Sequence, residues 1–304
     1  MIQERFEVVV EDGWCLDVLY LPATEPVRGV ALLGHAMMVD RRSLDLPKGK
    51  GLASTLAANG WEVLLPDLRG RGASGPSAAQ GADWAYDDLV RYDLPACVAA
   101  ARQRFPGLPL VVVGHSLSGH VSAAAEGAGY YGQSPDAHVF FAVNMWAPSL
   151  EPLWWRRRLK GLAAWGLGVL VMLFGRFPSR WIRMGPVDEA ATYMRDIVRF
   201  WTEDQWKSED GSVDYQEGLA EVSGPVLAWI GVADRLLAQV DAARQWTDGL
   251  SSAPVDFRLV GRGDLGLAFD PDHMTLVTDE RARPVWLETV RWLDQRLLGS
   301  SDGD

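Results

Sequence analysis

Between Leu110 and Gly129 the chain reads LVVVGHSLSGHVSAAAEGAG, and this stretch limits the possible folds more than any other. The apolar run ahead of GHSLSG reads as a strand buried on both faces, and the small residues behind it read as a helix packed close to its neighbours. A serine on so sharp a strand-to-helix turn is held in a strained backbone conformation. The residues two before and two after it must be small, because strand and helix close upon them there. Gly114 and Ser118 hold those places around Ser116. The usual pattern has glycine where this chain has Ser118, an enlargement by one hydroxymethyl group that is followed at once by Gly119.

The rest of the chain supplies a setting for such a turn. RFEVVVE and LDVLYLP, separated by Asp-Gly, read as an antiparallel hairpin at a sheet edge. After them GVALLGH at 29–35, EVLLPDL at 62–68, LVVVGHS at 110–116, VFFAVNMW at 139–146 and VLAWIG at 226–231 are short runs rich in apolar residues, and VDFRLV is read as the last strand. Segments with helical spacing lie between them, including LASTLAAN stopped by Gly60 and DDLVRYDLPACVAAARQRF, which Pro95 kinks. Alternation of this kind predicts an α/β fold, a mostly parallel central sheet with helices on both faces and right-handed crossovers. From 151 to 224 no buried strand is evident, and the stretch is rich in tryptophan and arginine. The expected organisation is a core made of 1–150 and 225–304 with a helical cap, 151–224, inserted between its parts. The tail GSSDGD is expected to fray.

A serine hydroxyl is a weak nucleophile and needs a general base, itself held in one tautomer by a third group. Of the histidines 35, 115, 120, 138 and 273, His273 in FDPDHMTLV lies on a loop after the last strand, where a base can swing over the turn. Asp234 in GVADRLL follows the strand before that and is the expected orienting acid. Asp264, Asp270 and Asp272 compete, but they share a loop with or near the histidine, and a close neighbour in sequence rarely faces an imidazole from its far side. The remaining need is a pair of backbone amides aimed at the oxyanion, worth on the order of 3 kcal/mol each in the transition state. Leu117 supplies one. The other is expected from the turn after the third strand, LLGHAMMVD, whose resemblance to a His-Gly turn of related hydrolases, with His35 on the histidine, implies the amide of Met37, or of Ala36 if that alignment shifts by one.

With those residues in place, the chain resembles the α/β-hydrolase superfamily in its esterase, lysophospholipase-like and serine-aminopeptidase-like branch. The order Ser116, Asp234, His273 matches that fold, and PDLRGRGASG at 66–75 resembles its D-x-R-G-x-G-x-S loop. The resemblance covers nearly everything outside the cap, where GRFPSRWIRMGPVDE is also similar to segments of bacterial members. It implies a serine hydrolase acting on carboxylic esters through an acyl-enzyme, with no cofactor and no metal. Amide or carbon-carbon bond hydrolysis, acyl transfer and perhydrolysis on the same triad stay open, as does a scaffold that only binds its ligand. Epoxide hydrolases and dehalogenases of this fold use aspartate at the turn, so Ser116 speaks against both.

The cap bears on substrate. Residues 161–175, GLAAWGLGVLVMLFG, are apolar almost all round and too few to span a bilayer. They line an acyl pocket, contact a second copy or touch a membrane surface peripherally; the protein is a monomer or a homodimer on these readings. Tryptophans at 154, 155, 165, 181, 201 and 206 suit a small-molecule hydrophobic ester or form a cap core. His35, Met38, His115, Met145, Trp146 and Trp165 are the expected pocket walls. A net charge of −11 argues against nucleic acid, or an anionic membrane, as the main partner. Cys15 and Cys97 sit in apolar surroundings and are expected to be buried thiols. The charged N-terminus MIQERFEVVVEDG lacks a secretory pattern, so the expected compartment is cytoplasmic.

Overall fold

The computed structural model describes residues 4–24 and 26–299, so most of the tail expected to fray lies outside the described residues. Eight strands form one sheet: β1 (Glu4–Val9), β2 (Cys15–Leu21), β3 (Gly29–Gly34), β4 (Trp61–Pro66), β5 (Leu110–His115), β6 (Ala137–Phe141), β7 (Val226–Gly231) and β8 (Val255–Val260). Their order across the sheet is β1-β2-β4-β3-β5-β6-β7-β8. The hairpin β1-β2 and its pairing to β4 are antiparallel, and every pair from β4 to β8 is parallel. This is the α/β architecture the sequence predicts, with β5 at its centre.

The parallel strands β3, β4, β5, β6 and β7 are buried along their whole length, which is why they read as unbroken apolar runs and not as alternating ones. Among the described residues ten α-helices connect and cover them: α1 (Leu52–Ala58), α2 (Tyr86–Asp88), α3 (Leu94–Arg104), α4 (Leu117–Gly127), α5 (Trp154–Phe174), α6 (Ala191–Glu203), α7 (Tyr215–Gly218), α8 (Val240–Thr247), α9 (Thr275–Thr278) and α10 (Arg283–Leu293). One apolar cluster, with Val112, Val121 and Phe140, fills the face under α3 and α4. The other, with Leu56, Val113 and Trp286, fills the face under α1 and α10.

Three local expectations change. The run 139–146 is a strand only to Phe141, because Ala142 takes φ +53 and the chain leaves the sheet there. Pro95 does not kink a continuous α-helix; a wide π-helical turn over Leu89–Asp93 precedes it, and the proline, which has no N–H to donate, sits in the first turn of α3. Helix α5 is longer than the apolar run that announced it and takes the arginines at 156–158 into its first turns, ending on Gly175 at φ +65. Cys97 is buried as expected, whereas Cys15 is half-buried at the sheet edge.

His120, one turn into α4, is buried with its Nδ1 2.9 Å from the hydroxyl of Tyr86. Burial alone pushes its pKa down to about 3. A histidine with a depressed folded pKa binds its proton first in the unfolded chain, so its contribution is present above pH 6.5 and is lost as the solution is acidified toward the folded value. His120→Gln keeps a hydrogen-bonding group that does not titrate. We expect its melting temperature to fall less than that of the wild type between pH 6.5 and 4, as followed by circular dichroism; parallel decline of the two would remove His120 from the balance.

Candidate active site

Strand β5 delivers Ser116 to the carboxyl edge of the sheet, and α4 begins one residue later. Ser116 has φ +50 and ψ −109, a conformation costing on the order of 1–3 kcal/mol that only its surroundings can hold. Its N–H donates to the Phe141 carbonyl at 2.9 Å, and its own carbonyl receives the Gly119 N–H at 3.0 Å. The smallness demanded on either side is literal. A β-carbon on Gly114 would lie 2.4 Å from the α-carbon of Gly119. Ser118 fits in the place of a glycine because Gly34 faces it, where a β-carbon would come within 2.3 Å of the serine's own. The Ser118 hydroxyl then donates to the His35 carbonyl at 2.6 Å, tying the turn after β5 to the turn after β3.

That neighbouring turn carries the two candidate amides. The N–H groups of Ala36 and Met37 find no acceptor among the described residues, and Leu117, first in α4, has no intrahelical acceptor for its own. The next residue, Met38, is fixed at both ends. Held at φ +61, it donates its N–H to Glu189 Oε1 at 2.5 Å and accepts the Val187 N–H at 3.1 Å. The other oxygen of Glu189 receives Arg71 at 2.7 Å, and both side chains are fully buried. The Arg71 guanidinium lies between the rings of Trp84 and Tyr193, 5.3 Å from each. Burial pushes the Glu189 carboxyl pKa up, while Arg71 and the Met38 N–H pull it back.

Asp234 and His273 leave the sheet from β7 and from the loop after β8, which are paired neighbours. The structure brings them together, with His273 Nδ1 2.7 Å from Asp234 Oδ2. The second oxygen of Asp234 accepts the N–H groups of Leu237 and Ala238, each at 3.0 Å, so the carboxylate is locked in place. Its rivals are occupied in local turns. Asp272 accepts from Met274 and Thr275, Asp270 from Arg262 and Asp264 from Gly261. The Ser116 hydroxyl makes no hydrogen bond among the described residues, and Nε2 of His273 is likewise uncommitted.

The expected pocket walls divide. His35 is a buried strut: the Leu68 N–H donates to its Nε2 at 3.2 Å, and its Nδ1 lies 2.8 Å from the Ala36 carbonyl. Burial, with the charge of Arg71, lowers its pKa to about 4. His115 is also buried, and its Nε2 donates to the His273 carbonyl at 2.9 Å, supporting the loop of that histidine; burial lowers its pKa to about 3. Met38 and Met145 belong to the apolar core. Trp146 is half-buried and donates to the Leu237 carbonyl at 3.0 Å, on the loop that holds Asp234. Trp165 is not brought to the site: it is 69% exposed on α5. A cleft of about 490 Å³, lined by Trp155, Arg156, Asp234, Arg235 and Leu259, opens beside the acid, and Ser116 is not among its walls. The clamp of Arg71 and Glu189 was not foreseen, because a lone glutamate in GPVDEA carries no spacing that sets it apart from surface acids.

A strained serine between a central parallel strand and a helix, with an acid-histidine pair on adjoining strand ends, defines the α/β-hydrolase class. The family model described as serine aminopeptidase, S33, matches residues 48–262, and the chain belongs to that family. Curated relatives include mouse lipase member K, 27% identical over 191 residues that make up 57% of this chain and 46% of the relative. Mouse gastric triacylglycerol lipase is 33% identical over 127 residues, 37% of this chain and 32% of the relative. The chain thus spans less than half the length of these relatives. Among solved structures, an esterase of Pyrococcus furiosus superposes with a TM-score of 0.64 at 14% identity, covering 97% of this chain and 92% of the other. A soluble variant of monoglyceride lipase from Saccharomyces cerevisiae gives 0.67 at 16% identity, over 97% and 95% of the two chains. At such identities the likeness is one of fold.

Breaking one side of a buried ion pair strands the other charge, at about 3–5 kcal/mol, whereas removing both can be nearly neutral. Glu189→Gln is therefore expected to lower the melting temperature by roughly 5–10 °C. The double variant Arg71→Met/Glu189→Gln should recover part of that loss. Additive losses in the double-mutant cycle would show that the two groups do not act as a pair.

Proposed function

We propose that the chain hydrolyses carboxylic esters with a hydrophobic acyl or alcohol part, using Ser116 as nucleophile, His273 as base and Asp234 as the acid that orients it. The observation that carries this reading is the 2.7 Å bond between His273 Nδ1 and Asp234, at the same sheet edge as a serine held at φ +50. The names of the curated lipases and of the structurally similar esterases support ester chemistry over the other reactions this fold hosts.

In this mechanism Ser116 Oγ attacks the acyl carbon as its proton passes to Nε2 of His273, and Asp234 stabilises the imidazolium from the Nδ1 side. The oxyanion is received by the N–H of Leu117 and that of Met37, or of Ala36 in the shifted alignment. Collapse breaks the bond to the alcohol, which leaves with the proton from Nε2. Water then gives its proton to the same nitrogen and attacks the acyl carbon, and collapse breaks the bond to Ser116 Oγ, which takes that proton back as the acid is freed. Residues 151–224 act as the cap that shapes the substrate's surroundings. The family description names an aminopeptidase, which makes amide hydrolysis on the same triad the second reading.

The test is a panel of nitrophenyl esters from short to long acyl chains, run beside aminoacyl anilides. Wild-type protein should turn over esters and react with a fluorophosphonate probe. Ser116→Ala should lose roughly 10⁴–10⁶ in kcat together with probe labelling, and Asp234→Asn roughly 10³–10⁴ in kcat. Equal turnover by wild type and Ser116→Ala would sink the assignment, and activity confined to the anilides would replace esters by amides.

A further inference from the structure

Helix α5 is apolar on two sides, and only one of them is covered. Lys160, Ala164 and Val171 are buried on the inner side, where the helix packs against α6, with Lys160 paired to Glu151 at 2.8 Å. The other side, at steps of three and four residues, presents Trp155, Leu159, Leu162, Val169 and Leu173. Leu162 is 68% exposed and Met172 76%, in a strip that continues past the helix to Trp181 at 70%. Singly exposed apolar residues are ordinary, but a contiguous strip the length of a helix marks a surface with an occupant.

The charges around the strip indicate which one. Arg157 and Arg158 stand exposed in the first turns, and Arg180 and Arg183 beyond the last. None of these four forms an ion pair among the described residues, whereas Arg156 and Arg176 reach Glu151 and Asp188. From Trp154 to Met184 the sequence has no aspartate or glutamate, although the whole chain stands at −11. Carboxylates more than a Debye length away, about 8–10 Å at physiological salt, are largely screened from whatever lies on this strip. Tryptophans at 154, 155 and 181 rim both ends, the side chain best suited to a boundary between apolar and wet surroundings.

We infer that α5 and the turn through Trp181 seat on the surface of a membrane containing anionic lipid, the helix lying in the headgroup plane with its apolar strip among the acyl chains. No helix among the described residues is long and apolar enough to cross a membrane, so the contact is peripheral. A second copy is the poorer occupant. Both ends of the strip are basic, and a twofold pairing, parallel or antiparallel, sets arginines against arginines.

Co-sedimentation with vesicles reads this without any turnover and so stands apart from the proposed ester hydrolysis. Wild-type protein should pellet with vesicles of phosphatidylcholine and phosphatidylglycerol, less with phosphatidylcholine alone, and should be released by salt. Leu162→Glu/Met172→Glu should abolish pelleting with its thermal unfolding unchanged, since both side chains face solvent. Arg180→Ser/Arg183→Ser should weaken binding to the anionic vesicles by about fivefold for each charge removed. Wild-type protein left in the supernatant with anionic vesicles, or a glutamate variant that pellets as the wild type does, would overturn the inference. So would a lipid-free wild-type dimer that the glutamate variant dissolves, which would assign the strip to a second copy.

Discussion

How near helix α4 comes to the strands beneath it decides what the carboxyl edge of the sheet can hold. With Gly114 against Gly119, and Gly34 against Ser118, the helix axis drops to a depth that any added β-carbon would forbid. At that depth Ser116 has to reverse the chain within one residue, which is why it sits at φ +50. The strain is borne because β5 lies at the centre of the sheet, flanked by β3 and β6, and the Ser116 N–H is held by Phe141. Ser118 adds a consequence that glycine could not. Its hydroxyl bonds the His35 carbonyl, so the turn offering the Ala36 and Met37 amides is fastened to the helix that offers Leu117.

Histidines cluster at this edge, and burial sorts them. His35 and His115 are driven to about 4 and 3 and stay neutral through the physiological range, so each can serve as a fixed donor and acceptor between loops. His273 is only partly buried, with a carboxylate on Nδ1 and no partner on Nε2 among the described residues. The division gives this edge two struts and one ring whose second nitrogen is uncommitted. The struts are not idle. One joins the turns after β3 and β4, and the other carries the backbone of the His273 loop itself.

What could be read from the sequence is what repeats along it. The apolar runs announced β3, β4, β5 and β7 with nearly correct limits, since burial on both faces leaves little room for polar residues, and alternation and turn residues placed the hairpin β1-β2. Ala142 ended β6 early, because nothing in its side chain advertises a positive φ. Asp234 was reachable from strand order, and the competing acids could be set aside for being too close to the histidine. Side-chain direction was not legible in the same way. His35 and His115 were expected as walls and are struts, because a residue at a strand end faces either the site or the layer below, and composition does not say which. Tryptophans carried the same ambiguity within 151–224: Trp201 and Trp206 are buried, while Trp154, Trp165 and Trp181 face solvent. A large apolar side chain announces that it wants covering, not what covers it.

Residues 151–224 include two stretches of opposite character. At residues 185–189 the chain is bound to the turn after β3, with Glu189 and Val187 holding Met38 by its N–H and its carbonyl and Gly185 pressed against the Met38 carbonyl. Lifting that segment would separate a fully buried ion pair, at several kcal/mol, and would loosen the turn one residue from Met37. It therefore belongs to the rigid edge. Helix α5 is held on its inner side by α6 and by the pair of Lys160 with Glu151, and Leu162, Met172 and Leu173 on its other side stand exposed. An element with apolar surface still to bury gains from an outside partner what its own fold does not supply.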